Sequence, residues 1–336
     1  MSVLVTGGLG YIGSHTVVEL LEAGDEVIIV DDLSNSKIEV LNRIVKITGV
    51  KPEFYKVNLL NKNKVEKIFK RNKITEVIHF AGFKAVGESV EKPLMYYKNN
   101  LSSTINILEL MVKYGVNNFV FSSSATVYGN PEKLPITEKS SVGNVASPYG
   151  RTKYMIEEIL KDVSVAYPEL NIAILRYFNP IGAHPSGLIG EDPNNIPNNL
   201  MPYITQVAIG KRDVLGVFGN DYNTVDGTGV RDYIHVVDLA KGHLSALTKL
   251  KSKPGIVVYN LGTGKGTSVL EMIKSFENAN GLNIKYEIKN RRAGDIDSYY
   301  ADCSKANKEL NWIASKSIEE ACKDAWNFQS NNPNGY

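Results

Sequence analysis

Tyr149 and Lys153 stand four residues apart, the spacing that puts two side chains on one face of a helix. A lysine cation beside a phenol favours the phenolate, lowers the tyrosine pKa and lets the group exchange a proton near neutral pH. In a chain with 18 tyrosines such a pair arises readily by chance, so its position has to carry the argument. It is the only Tyr-x-x-x-Lys in the chain, and it follows the run Ser122-Ser123-Ser124 at the predicted end of an apolar strand.

A second constellation lies at the start of the chain. Ser2 to Thr6 reads as a short buried strand that runs into Gly7-Gly8-Leu9-Gly10-Tyr11-Ile12-Gly13, where Gly8, Gly10 and Gly13 satisfy G-x-G-x-x-G. Glycine lets the backbone turn sharply, approach a pyrophosphate closely and pack the next helix on the sheet. The phosphates would then meet that helix's N-terminus. The context agrees: Tyr11 to Ala23 has helical apolar spacing and stops at Gly24, and Glu26 to Val30 reads as a second strand closed by Asp31. An acid on the order of 20 residues past the glycines accepts hydrogen bonds from ribose hydroxyls and repels a 2′-phosphate, so the expected dinucleotide is NAD rather than NADP.

These motifs need a scaffold. At 336 residues, 43% hydrophobic and 22% charged, the chain can bury a sizeable core as one large or two closely joined domains. A net charge of +2 with dispersed basic residues argues against a nucleic-acid or membrane-surface partner. Two cysteines, Cys303 and Cys322, make no framework and fit a reducing cytoplasm. No apolar stretch approaches the ~20 residues of a membrane span, and with the first strand at the N-terminus no leader peptide is expected.

Strand and helix signals alternate: strands at Phe54 to Leu59, Thr75 to Phe80, Val116 to Phe121 and Ile172 to Arg176, with helices at Asn63 to Arg71, Pro93 to about Lys113 and from Tyr149. Such alternation predicts an α/β fold with a Rossmann-type doubly wound parallel sheet. Beyond Tyr177 come Pro-, Gly- and Asn-rich stretches, Asn179 to Pro202 and Phe218 to Gly229, which read as substrate-binding loops of a smaller C-terminal domain. Val236 to Leu247 reads as a helix and Val257 to Leu261 as a strand returning to the sheet. The expected division is residues 1–180 for NAD, with 230–262 returning to that unit, and 181–336 for the substrate. Ligands in such sheets bind at the carboxyl ends of the strands, where Ser122 to Ser124 and Tyr149 are delivered.

Taken together, Val5 to His15, His79 to Ser89, Phe121 to Gly129, Arg176 to Pro180 and Gly229 to His235 resemble the extended short-chain dehydrogenase/reductase family, and within it the branch that epimerises UDP-hexoses at C4. The resemblance covers almost the whole chain. It implies reversible interconversion of UDP-glucose and UDP-galactose by transient hydride transfer from sugar C4 to tightly bound NAD, through a 4-keto sugar that turns over in the pocket. By resemblance Tyr149 takes the sugar 4-hydroxyl proton, Lys153 tunes Tyr149 and holds the nicotinamide ribose, and Ser124 bonds the same hydroxyl. The resemblance assigns the cofactor to Gly7, Gly10, Tyr11, Ile12, Gly13, Asp31, Asn35, Asn58, Leu59, Phe80, Ala81, Gly82, Lys84, Asn99, Ser122, Ser124, Tyr149, Lys153, Tyr177 and Phe178. It assigns the UDP-sugar to Ser124, Tyr149, Asn179, Asn199, Leu200, Gly216, Phe218, Arg231, Arg292, Asp295 and Tyr299. Arginine suits this task because its planar donors match phosphate oxygens. A homodimer through the helices near Leu101 to Met111 and Tyr149 to Leu160 is implied as well.

Two positions depart from the family pattern. Asn58 stands where an Asp commonly binds the adenine amino group, a bond its amide carbonyl can still accept. Gly216 replaces a common alanine close to uracil and removes only a methyl group. Tyr299 by resemblance borders the sugar pocket, where its bulk excludes N-acetylated sugars; the alternative is that it packs on Tyr300 outside the pocket.

Other features have plainer readings. The five histidines show no metal-ligand spacing, so no metal is expected. Gly262-Thr263-Gly264-Lys265-Gly266 lacks the Ser or Thr that follows a P-loop lysine and reads as a helix-entry turn. Asp302 to Trp312 reads as a capped surface helix, Ser122 and Ser123 as turn formers, Asp31-Asp32 alternatively as solvated loop acids, and Arg231 alternatively as a salt-bridge partner. A 4,6-dehydratase would need an acid and a base directly after Ser124, and Ala125 and Thr126 cannot serve. A non-catalytic NAD sensor of the same fold would not need an intact Ser124, Tyr149 and Lys153.

Overall fold

The computed structural model describes residues 2–193, 197, 199–292 and 294–336. Strand β1 (Ser2–Thr6) is buried at all five positions and passes through the glycine turn into helix α1 (Tyr11–Glu22). There follow β2 (Glu26–Asp31), α2 (Glu39–Thr48), β3 (Glu53–Lys56), α3 (Lys62–Arg71) and β4 (Glu76–His79). A short α4 (Val86–Glu91) and a long α5 (Pro93–Tyr114) lead to β5 (Asn118–Ser124), one 3-10 turn over 125–128, α6 (Pro148–Ala166) and β6 (Asn171–Tyr177). Pro93 starts α5 where a missing N–H costs nothing, and Gly115 ends it at φ +67°.

The second half comprises β7 (Asn179–Ile181), α7 (Leu200–Ala208), β8 (Leu215–Phe218), β9 (Val230–His235), α8 (Val236–Leu250) and β10 (Ile256–Leu261). It closes with β11 (Gly266–Ser268), α9 (Val269–Asn280), β12 (Tyr286–Lys289), β13 (Ser298–Tyr299), α10 (Ser304–Leu310) and α11 (Ile318–Asn331).

Seven parallel strands form the main sheet in the order β3-β2-β1-β4-β5-β6-β10. The order reverses between β1 and β4, the switch point where such sheets bind ligands. Alternation along each strand supplies two cores: Val3, Val5 and Ile29 face Val17, Leu20 and Leu239 on one side, while Leu4, Ile28 and Phe119 face Ile107, Met111 and Ile156 on the other. A sheet covered on both faces needs such nearly continuous apolar strands. A separate core of Ile181, Met201, Ile204, Leu215, Val217, Tyr233, Met272 and Phe276 holds the second lobe.

Several boundaries differ from the sequence reading. The third strand stops at Lys56, so Asn58 and Leu59 lie in the loop beyond it. The fifth strand runs through Ser124, so Ser122 and Ser123 are strand residues paired with Leu175 and Arg176 rather than turn formers. Helices α2, α4, α7, α9 and α11 are not among the elements that the sequence pattern predicts. For α9 and α11 a signal exists, since Ser268 with Glu271 and Ser317 with Glu320 form complete capping boxes. The expected 179–202 loop contains β7 and the start of α7; its residues 194–196 and 198 lie outside the described residues. The 262–266 turn enters β11 and only then α9, and Thr263 and Gly264 donate their N–H groups to buried Asp232 at 2.8 and 3.0 Å. Helix α10 is not wholly at the surface: Ala306, Leu310 and the following Trp312 are buried.

Candidate active site

Register brings the carboxyl ends of five strands together: Thr6 pairs with Val30 and His79, and Ser124 pairs with Tyr177. Gly7 takes φ +68°, and a Cβ there would sit 2.9 Å from the Ala81 nitrogen. At Gly13 a Cβ would lie 2.3 Å from the Gly7 carbonyl oxygen, so neither position admits a side chain. Gly10 caps α1 without any side-chain hydrogen bond, leaving the first-turn N–H groups of Tyr11, Ile12 and Gly13 to an anion. Asp31 is 8% exposed; its carboxylate accepts from Leu9 N at 3.1 Å, Leu33 N at 2.9 Å and Ser36 Oγ at 2.7 Å. It is therefore no solvated loop acid. An acid held beside a side-chain-free turn at a helix N-terminus fits a dinucleotide with free ribose hydroxyls, and so fits NAD.

The surrounding loops complete this half. Asn35 is exposed in the loop after Asp31. Asn58 donates Nδ2 to Asp32 at 2.7 Å and accepts from Leu60 N at 2.9 Å. An aspartate at 58 would face Asp32 as a like charge; the amide turns that repulsion into a hydrogen bond. Leu59 is buried. Phe80 packs on His243 with ring centroids 4.7 Å apart, Gly82 lies against the Asn100 amide, and Asn99 donates to that amide at 3.1 Å. Tyr11 OH donates to Gly182 O at 2.7 Å, and Lys84 pairs with Glu191 at 3.2 Å.

At the chemical centre, α6 begins from its cap Ser147, whose Oγ accepts from Gly150 N at 3.2 Å. Tyr149 is half-buried, and burial pushes its phenol above the ordinary range while a hydrogen bond with Ser124 pulls it back. Lys153 is anchored on the backbone: its Nζ donates to the Ser122 carbonyl at 2.6 Å and lies 4.9 Å from the Phe121 ring centre. Burial lowers Lys153 to about 8, opposed by the charge of Glu157. The expected lowering of the phenol by Lys153 is not seen here: burial raises the phenol and Ser124 alone opposes it. Tyr177 donates its phenol hydrogen to Nε2 of His243, because His243 Nδ1 is engaged with the Leu239 carbonyl at 2.8 Å. Phe178 lies 5.7 Å from Tyr299, ring centre to ring centre.

The second lobe faces this centre. Asn179 opens β7, paired with Tyr233; Asn199 caps α7 and donates to Glu191 at 2.7 Å, and Leu200 is the helix's first residue. Gly216 and Phe218 lie on β8, and the Arg292 guanidinium sits 3.9 Å from the Phe218 ring centre. A Cβ at Gly216 would meet the flexible Lys289 stem at 3.1 Å and the Phe218 ring at 3.6 Å. Arg231 donates to the Ile296 carbonyl at 3.0 Å and forms an ion pair with Asp295, so the salt-bridge reading of Arg231 describes this conformation. Tyr299 pairs in register with Arg231 and donates its hydroxyl to the Ala125 carbonyl. Sequence reasoning missed His243, Asp232, Glu157 and Arg176, buried polar residues whose partners lie far along the chain.

Among the described residues no cluster of three His, Cys, Asp or Glu side chains is arranged to hold a metal, and no helix is long and apolar enough to cross a membrane. The family model described as GDP-mannose 4,6 dehydratase matches residues 4–325. The chain is 58% identical to UDP-glucose 4-epimerase of Haemophilus influenzae over 336 residues, covering 100% of this chain and 99% of that one. It is 59% identical to UDP-glucose 4-epimerase of Bacillus subtilis with the same coverage. The crystal structure of UDP-glucose 4-epimerase from Bifidobacterium longum in complex with NAD+ and UDP superposes with a TM-score of 0.97 at 53% identity, covering 100% of both chains. Matched over its full length at these identities, the chain belongs to the UDP-glucose 4-epimerase family of the extended short-chain dehydrogenase/reductases.

Proposed function

We propose that the protein interconverts UDP-glucose and UDP-galactose at C4 through a 4-keto sugar. It is an NAD-dependent UDP-sugar 4-epimerase, an isomerase. The observation that carries the assignment to this chain's own residues is the meeting of Ser124, Tyr149 and Lys153 at the carboxyl end of β5, on the same edge of the sheet as the glycine turn and Asp31. When bound, NAD supplies the redox partner for sugar C4 and, oxidised, a positive charge.

In this reading Tyr149 accepts the 4-hydroxyl proton and returns it to the other epimer. Ser124 orients that hydroxyl, and its hydrogen bond lowers the phenol pKa. Lys153 brings a cation to the base of the phenol, anchored on the Ser122 carbonyl. Ala125 and Thr126, directly after Ser124, carry no acid or base for elimination across C5 and C6, which separates this chain from a dehydratase despite the name of the matching family model.

Asn179, Asn199, Leu200, Gly216, Phe218, Arg231, Arg292 and Asp295 grip the uridine diphosphate, leaving the pyranose loosely held so that either face can be presented. Arg231 and Arg292 suit a diphosphate, because their planar donors match phosphate oxygens. We assign residues 1–180 to NAD, with the later part of 230–262 returning to that unit through β10, and the rest of 181–336 to the UDP-sugar together with β9 and its Arg231; the pairing of β10 with β6 and of β9 with β7 and β13 supports that division. Ile105 and Met155, 40% and 39% exposed on α5 and α6, support a homodimer through those helices. Two buried free cysteines are in keeping with a cytoplasmic enzyme.

The test is to incubate the purified protein with UDP-galactose, without added NAD, and look for UDP-glucose. No conversion, or a 4-keto-6-deoxy product, would overturn the reading.

A further inference from the structure

Helix α6 presents Tyr149, Lys153 and Glu157 on one face at four-residue intervals, and β5 meets them with three successive serines. Ser124 acts on Tyr149 and lowers its phenol, Lys153 Nζ donates to the Ser122 carbonyl at 2.6 Å, and Ser123 Oγ donates to Glu157 Oε1 at 2.5 Å. Glu157 is wholly buried. Its carboxylate is completed by Arg176, whose Nε lies 3.0 Å from Oε1 and whose Nη2 lies 2.5 Å from Oε2. Arg176 stands opposite Ser123 in the β5–β6 register, and its guanidinium carbon lies 4.7 Å from the centre of the Tyr128 ring.

A buried ion pair is a poor way to stabilise a fold, because desolvation consumes most of the attraction and apolar residues of similar volume often do as well. The location of this one, a single helical turn from Lys153, points to another use. We propose that Glu157 is a positioning residue for the epimerisation: its buried charge, held by Arg176 and Ser123, keeps the Lys153 ammonium charged and sets the height of Ser124 against Tyr149. The proposal rests on the epimerase reading of the site.

The groups around Lys153 leave Glu157 as the source of that effect. Its own helix contributes Tyr149 and Glu157; β4 contributes His79, lowered to about 3 by burial and therefore neutral. From β5 come the Ser122 carbonyl and the Phe121 ring, and from β6 come Arg176, engaged by Glu157, and Tyr177, bonded to His243. Glu157 is the only anion in this set, and its charge works against the burial that draws Lys153 down to about 8.

Glu157→Gln keeps the shape and removes the charge. In the holoenzyme the alkaline limb of kcat should move to lower pH by about one unit, because Lys153 then loses its proton sooner. The KM for UDP-galactose should stay within about twofold, since this residue is remote from the assigned UDP contacts. Ultraviolet difference titration, referenced to Tyr149→Phe, should show Tyr149 ionising at higher pH. The double variant Glu157→Gln with Arg176→Gln leaves no orphan cation to compromise folding and should show a smaller displacement in the same direction, since a cation leaves with the anion. Ser123→Ala removes one rung without touching either charge and should leave the limb where it is. An unmoved limb in the double variant, or an equal displacement in Ser123→Ala, would overturn the proposal and leave Glu157 a structural residue; Glu157→Asp should restore the limb.

Discussion

Tyr299 donates its phenol hydrogen to the carbonyl oxygen of Ala125, the residue directly after Ser124. The ring is 8% exposed and packs on Phe178, so the short strand β13 is tied to the end of β5 by a large, fixed side chain. Wild-type protein should turn over UDP-glucose and UDP-galactose but not UDP-N-acetylglucosamine, whose acetamido group must clear the ring in both orientations of the pyranose. Tyr299→Cys should gain the acetylated substrate at a stability cost on the order of 3 kcal/mol from the lost ring. Steady-state assays with both sugars and a thermal melt check this; comparable wild-type rates on both would refute it.

Tyr149→Phe deletes the proton-transfer group and little else. We expect kcat to fall by about 10² to 10⁴-fold while UDP affinity, read by calorimetry, is unchanged. Retained activity would remove Tyr149 from the mechanism.

Lys153→Ala should slow both epimerisation and the reduction of bound cofactor by substrate, because the cation beside the phenol is gone. Burial draws Lys153 to about 8, below its ordinary 10.5, so the charged form is fully present at lower pH and is lost as pH rises through about 8. Wild-type kcat should decline across that range. Normal reduction of cofactor in Lys153→Ala would count against the role.

Because the reaction returns what it removes from the sugar, the cofactor has no reason to leave during turnover. Protein purified without added nucleotide should release NAD on denaturation, identified by chromatography, and should be active without supplement. Strict dependence on added NAD, with NADH accumulating alongside product, would indicate a dehydrogenase.

Three buried histidines contribute to the acid sensitivity of the fold. Burial lowers His15 and His79 to about 3 and His243 to about 4, below the unfolded value of 6.5. Unfolding therefore takes up protons, and stability is whole above pH 6.5 and lost as pH falls below it. The slope approaches about 1.4 kcal/mol per pH unit for each histidine. Urea unfolding at pH 7, 6 and 5 should show the decline, and His79→Gln should make it shallower. A stability independent of pH in that window would contradict the buried neutral state.

The glycine turn, Asp31, the Tyr149 and Lys153 spacing and the alternation of strands and helices were all legible in the chain, because each is a local pattern: a backbone conformation reserved for glycine, a helical period, or a buried strand's run of apolar residues. The same local rules announce two helices of the second lobe, α9 and α11, through Ser268 with Glu271 and Ser317 with Glu320. What only the tertiary structure decided is where distant groups meet and what burial does to them. β10 lies beside β6 although about 80 residues separate them, Tyr299 reaches Ala125, and Arg176 closes on Glu157. Spacing alone set Lys153 against Tyr149, but the folded chain turns the ammonium to the Ser122 carbonyl and raises the phenol. Periodicity carries the direction a side chain faces on its own element; its partner, its desolvation and therefore its pKa belong to the neighbouring elements, which the local pattern does not contain.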